Sequence, residues 1–225
     1  RKVNTHPMCT SLPPYEHDLD GNAREYLHAR KLDSDLAKKN GWFFSCNAGD
    51  EFPRIVIPAM THKAGHVYWQ ARDISGKAFI RYQSPEGPRH EALVKVSPNG
   101  EPKGTVVVEG PMDALAAAGE GYISYALMGM QPSKATLMHL ALLIEDNKDL
   151  DVLVLLDRDS GPHAMKVSLF LASQGYYAVT GQLPGPEKDL AACPISKREK
   201  FLSKSFRYLS AYKSYPPPVR NDQNA

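Results

Sequence analysis

Cysteine is scarce in this chain. The 225 residues contain three, Cys9, Cys46 and Cys193. They lie far apart with no CxxC pair, which excludes a disulfide framework and a structural zinc site and suits a reducing cytoplasm. Long apolar runs are missing too, so no membrane partner and no secretory leader are expected. Neither sign of charge dominates: the net charge is +2, and nucleic-acid binding cannot be argued from that total. His62, His66, His90, His139 and His163 show no metal-ligand spacing. There is no internal repeat. The first residue is Arg1 rather than Met, and the chain is expected to be a fragment or a processed product.

The remaining composition, 42% apolar, supports one large domain or two small ones with real cores. The charges are unevenly placed. Arg54, Lys63, Arg72, Lys77, Arg81, Arg89, Lys95 and Lys103 crowd the first half. Lys197, Arg198, Lys200, Lys204, Arg207 and Lys213 crowd the end, opposed only by Glu199. Such clusters suit phosphate backbones, and they equally suit solvated helix faces.

Helical spacing marks 22–32, with Ala23, Tyr26, Leu27 and Arg30 on one face, and a second short helix capped by Asp33 or Ser34. Strands are expected at 54–60, 66–71 and 78–82, the last two joined by the turn DISGK. From 105 onward strands and helices alternate. Strands fall at 105–108, 122–127, 151–156 and 176–180, with helices at 111–119, 133–146 and 161–174 between them. That alternation implies βαβ units and a parallel sheet. The expected organisation is an arm at 1–15, an α+β unit at 16–98, an α/β unit at 99–195, and a basic helical tail with a disordered end at 196–225.

Acidic residues end three of these strands. In "VLLDRDSG", Asp157 and Asp159 follow a short apolar run; in "VVVEGPMDAL", Glu109 and Gly110 do; in "LPGPEKDLAA", Asp189 follows the last strand. In a parallel sheet all three places share the carboxyl edge, where ligands bind. Extended residues at i and i+2 point the same way, so Asp157 and Asp159 repel unless a cation joins them. Mg²⁺ suits such hard oxygen ligands. The bland alternative, Asp159 or Ser160 capping the next helix, does not explain Glu109. Asp113 is placed near the positive start of its own helix, Gly110 suits a sharp turn, and Gly129 and Gly161 mark turns. Trp69, Tyr176 and Tyr177 suit base stacking or core filling.

The run EGxxD, then DxDxxG, then KD after a proline-rich turn resembles the Toprim domain across 105–192. Upstream, "AREYLHARKL", "RIVIPA" and "RYQSPEG" resemble the first part of a DnaG-type, phage-like primase core. The resemblance implies a Toprim sheet preceded by a smaller α+β subdomain and RNA-primer synthesis on single-stranded DNA. It implies Mg²⁺ or Mn²⁺ held by Glu109, Asp157, Asp159 and Asp189, with Glu109 either a metal ligand or the base. It further implies that Lys188 and Arg158 meet the ribonucleoside triphosphate, and that Arg54, Arg72, Lys77 and Arg81 line the template. Expected partners are a helicase, fused or separate, and a zinc-binding domain upstream or in another chain; this chain carries no zinc motif. Lys188-Asp189 is followed by Leu-Ala-Ala, where relatives often carry a further acid. The alternatives are a Toprim-type nuclease, which would use the same carboxylates on water, and an inactive nucleic-acid-binding replication module. Either enzyme belongs in the cytoplasm of a bacterial or phage-infected cell.

Overall fold

The computed structural model of the chain describes residues 11–16, 18–19, 21–48, 51–61, 67–87, 91–129 and 132–213. Residues 1–10 of the expected arm, the proline-rich end over 214–225, and Cys9, His62, His66 and His90 lie outside them. Nine strands among the described residues form one sheet: β1 (Phe43–Ser45), β2 (Arg54–Thr61), β3 (Tyr68–Asp73), β4 (Tyr82–Gln83), β5 (Ala92–Val96), β6 (Thr105–Val108), β7 (Ile123–Ala126), β8 (Val152–Leu155) and β9 (Ala178–Thr180). Their order is β4-β3-β2-β5-β7-β6-β8-β9, with β1 on β2. The helices are α1 (Gly21–Ala29), α2 (Ser34–Lys39), α3 (Pro111–Gly119), α4 (Lys134–Ile144), α5 (Gly161–Ser173) and α6 (Ile195–Lys213).

Strands β7, β6, β8 and β9 are parallel, and every residue of β6 and β8 is buried. That is why both read as unbroken apolar runs. Alternate residues feed opposite cores. Val106, Val108, Leu153 and Leu155 face one core with Leu27, Leu36, Leu115 and Phe206. Val107, Val152 and Val154 face the other with Leu137, Leu140, Ile144 and Leu171. Helices α1, α2, α3 and α6 therefore cover one face, and α4 and α5 the other. Asp33 caps α2, its Oδ1 accepting from the backbone N–H groups of Asp35 and Leu36, both at 2.9 Å.

Three expectations change. The strand expected at 78–82 shrinks to the two residues of β4. The Asp73 carboxylate turns the chain by accepting from the Ser75 N–H at 2.9 Å, and Arg54 takes the Ile80 carbonyl at 3.0 Å. A side chain thus satisfies the backbone that a ladder would otherwise use. Two strands were also missed. β1 is only three residues long, and β5 pairs antiparallel with β7. The sheet therefore runs unbroken across residue 98, through β2–β5 pairs at Met60↔Leu93 and Thr61↔Ala92. Finally, the basic tail is not a merely solvated helix. Arg198 is buried, with Nε 2.8 Å from the Glu120 Oε1, and Phe206 packs so closely that a Cβ on Gly104 would lie 2.3 Å from its ring.

Candidate active site

Parallel register fixes the acidic edge. Val108 lies opposite Leu155 across β6 and β8, so Glu109 and Asp157 leave adjacent strands within one residue of the same level. Together with Asp113 and Asp189, also from the parallel half, they line a cleft of about 160 Å³ whose lining from the first half is Arg30, Arg72, Arg81 and Tyr82. The loop after β9 carries Lys188 and Asp189 to this place and is held there by several bonds. The Ala191 N–H donates to Asp113 Oδ1 at 2.8 Å, and Arg158 donates to the carbonyls of Leu183 and Gly185.

The carboxylates perturb one another. Burial pushes Asp113 up to about 7, and the nearby Asp189 adds to the shift. Burial, and then Asp157, raise Glu109; burial, and then Asp189, raise Asp157, while Lys188 works the other way. Lys188 Nζ stands 3.6 Å from Asp157 Oδ2 but is largely exposed, so it screens the cluster weakly. Ser160 precedes α5 in the capping place yet makes no capping bond; its hydroxyl donates to Glu109 Oε2 at 3.1 Å.

Glu109 and Asp157 share the cleft lining, and the Asp159 charge lies near enough to raise both. Asp157 is extended, but Arg158–Ser160 is a turn of 3-10 helix. The i,i+2 rule therefore fails, and Asp159 is exposed outside the cleft lining. Among the described residues, no three His, Cys, Asp or Glu side chains are set to hold a metal ion as they stand. Burial first, and then the neighbouring carboxylates, raise Glu109, Asp113 and Asp157. The donor set nevertheless fits a hard divalent cation, because carboxylates that share one cleft and lack a buried cationic partner are the oxygen ligands such an ion takes.

The basic residues divide in three ways. Arg72 stays at the cleft, held by aromatic rings: its Nε donates to the Tyr26 hydroxyl at 2.8 Å, and its guanidinium lies 4.8 Å from the Tyr82 ring centroid. Arg81 lines the cleft and is exposed. Arg54, placed on the template groove by the resemblance, is fully buried and donates to the Ala71 and Ile80 carbonyls; it organises β3 and its turn instead. Lys77 is exposed on that turn, outside the cleft lining. Arg158, expected at the nucleotide, is committed to loop carbonyls. Trp69 fills a small core with Phe43 and Val56.

Sequence reasoning missed Arg30 and the part played by Asp113. Arg30 was legible as the charged member of the α1 face shared with Tyr26 and Leu27. Asp113 was explained by its helix start, and its burial against a loop 78 residues away leaves no local trace. Gly110 has ordinary extended backbone, φ −116°; its need is space, since a Cβ there would lie 3.2 Å from Asp113 Oδ2. Gly129 follows Met128 through a positive-φ turn, and Gly161 opens α5 in open space.

A parallel sheet with an acidic carboxyl edge facing arginines defines a mixed α/β fold built around one cleft. No family model matches the chain, and no curated protein matches it. Its structural neighbours are primase RNA polymerase domains. The RNA polymerase domain of Mycobacterium tuberculosis primase DnaG is 19% identical, with TM-score 0.57, covering 86% of this chain and 78% of that one. The primase fragment of the bacteriophage T7 primase-helicase protein is 17% identical, with TM-score 0.56, covering 79% and 71%. The Aquifex aeolicus primase, with its zinc-binding and RNA polymerase domains, is 22% identical, with TM-score 0.57, covering 86% of this chain and 56% of that one. The chain shares their fold.

Proposed function

We propose that this chain is the RNA-synthesising core of a DNA primase, joining ribonucleotides on a single-stranded DNA template by metal-dependent nucleotidyl transfer. The observation that carries the reading is the cleft itself, lined by Glu109, Asp157 and Asp189 from the parallel half and by Arg30, Arg72 and Arg81 from the first half. Neighbours of this fold support it. The T7 primase domains have been seen with an RNA/DNA hybrid and dTTP, and the M. tuberculosis domain with double-stranded DNA.

On this reading Asp157 and Asp189, with Asp159 at the rim, would hold Mg²⁺ or Mn²⁺, and Glu109 serves as the base. When bound, such an ion neutralises phosphate oxygens and favours in-line attack. The chain supplies the rest. Ser160 occupies Glu109 Oε2, which leaves Oε1 to accept a proton from the attacking hydroxyl. Lys188, on an exposed stem, reaches a phosphate as a point charge. Arg72, braced by Tyr26 and Tyr82, and Arg81 hold template phosphates and position the strand without reading bases. Initiation-site choice belongs to a zinc-binding domain elsewhere, and a helicase delivers the template, in a bacterial or phage-infected cytoplasm. No described helix is long and apolar enough to cross a membrane.

The test incubates the chain with single-stranded DNA, labelled ribonucleotides and Mg²⁺ or Mn²⁺, with and without a short annealed RNA. Extension of the annealed RNA, exceeding initiation from free nucleotides, is expected. Cut DNA without RNA product would instead assign the carboxylates to a nuclease.

A further inference from the structure

A second charged surface lies on α6, on the other edge of the sheet from the cleft. The helix is anchored there by Arg198 on Glu120, Phe206 beneath Gly104, and Lys213 on Asp151. Glu120 ends α3, and Gly104 and Asp151 precede β6 and β8; all three mark the amino ends of the parallel strands. The outer face of α6 contains two kinds of side chain. Lys197 is neutralised by Glu187 at 2.7 Å and Lys213 by Asp151. Lys200, Lys204 and Arg207 are exposed, and among the described residues none has a carboxylate at ion-pair distance. Tyr208 and Tyr212, one turn apart, are 64% and 76% exposed. Leaving so much aromatic surface in water is unfavourable unless something covers it.

Tyr208 divides two hollows. On one side Lys200, Lys204 and Arg207 surround a volume of about 550 Å³; on the other Tyr177, Tyr212 and Gly181 border one of about 370 Å³. Lys204 lies 5.7 Å from the Tyr208 ring centroid, so the dividing ring is itself held by the basic side. A cationic trough beside an aromatic trough, sharing one ring, matches a polymer whose charged backbone and flat bases run in parallel. We infer that the α6 face binds a single strand of nucleic acid, with phosphates along Lys200, Lys204 and Arg207 and bases stacked on Tyr208 and Tyr212. An acidic peptide would use the first trough and leave the second empty. A duplex would present its phosphates but keep its bases from the tyrosines.

This inference does not depend on the nucleotidyl-transfer reading, and its test requires no synthesis. The full chain with Arg81→Ala, which weakens the cleft, is titrated with a fluorescent oligothymidine. Tyr208→Ala with Tyr212→Ala should weaken binding roughly tenfold, since stacking is lost; Tyr208→Phe with Tyr212→Phe should bind as the parent does. Replacing Lys200, Lys204 and Arg207 by Ala should make the salt dependence shallower by about two in log–log slope. An iodouracil-substituted strand should crosslink within 204–213. The inference is overturned if the alanine pair binds like the parent, if crosslinks form only in the cleft, or if poly-glutamate competes as well as the oligonucleotide does.

Discussion

The two walls of the cleft keep their charges by different means. The acidic wall stands without buried cationic partners, and its carboxyls are raised by burial and by one another. The basic wall is held by tyrosine rings: Arg72 rests between Tyr26 and Tyr82 rather than on a carboxylate. Had the arginines reached across to the acids, both sets would be neutralised and the cleft would be a structural ion-pair network. On the proposed function, the separation suits two ligands of opposite sign, a cation for one wall and a polyanion for the other. It also separates residues that act on ligands from residues that only look as if they should.

The largest effect that sharpens this contrast is expected from Asp157→Ala. Loss of one carboxylate misplaces the reacting oxygens, and nucleotidyl transfer should fall about 100-fold or more in a primer-extension assay. Without metal the same change should leave the melting temperature unchanged or higher, because it removes a repulsion. Equal loss of stability and activity would show that Asp157 is structural.

Next in size is the effect of pH on the acidic wall. Asp113 titrates near 7 when folded and near 3.8 in an ordinary setting. Below about pH 3 it is neutral in both states. As pH rises to 7 the unfolded chain ionises first, so metal-free stability falls across that window. Asp113→Asn keeps an acceptor for the Ala191 N–H and removes the titration. In chelator it should gain about 4 kcal/mol at pH 8 and almost nothing at about pH 3, read by thermal melting at both. A gain at both would assign the effect to packing.

A smaller effect is expected from Arg54→Ala, which should cost about 3 kcal/mol in denaturant unfolding by stranding the Ala71 and Ile80 carbonyls. Arg81→Ala, one residue beyond the Ile80 carbonyl that Arg54 holds, should barely change stability yet weaken binding of single-stranded DNA. If the two variants behave alike, the division between folding and ligand-facing arginines fails. The smallest change should come from Lys188→Ala. Its pairing with Asp157 is exposed, so stability should shift by less than about 1 kcal/mol, while the KM for nucleotide should rise.

Much of the parallel half was legible because its information is local. The apolar runs of β6 and β8, Pro111 and Ser133 at helix starts, and acids after β6 and β8 all lie within a few residues of what they specify. The site was legible as an edge rather than as a shape. Register places Glu109 beside Asp157, but the short turn at Arg158–Ser160, which leaves Asp159 exposed, has no sequence signal distinct from a strand end. The first half was less legible because its structure is made by distant side chains. Arg54 decides how 78–81 runs, and β5 is defined by β7, thirty residues on. A basic residue reads the same in a sequence whether its guanidinium meets phosphate, a ring or a carbonyl.

Strand β2 has a consequence for the gap between the walls. Residues 54–59 of β2 pair with β3, which carries Arg72, and its last two pair with β5, which leads to β7 and β6 and so to Glu109. One continuous strand therefore serves as the ruler between the walls, and its divisions are peptide units. Adding one residue between Ala59 and Met60 would shift the walls along the strand by about 3.3 Å and turn every later side chain of β2 to the opposite face. Spacing of this kind is digital: it is changed by counting residues, and trimming side chains in the cores leaves it as it was.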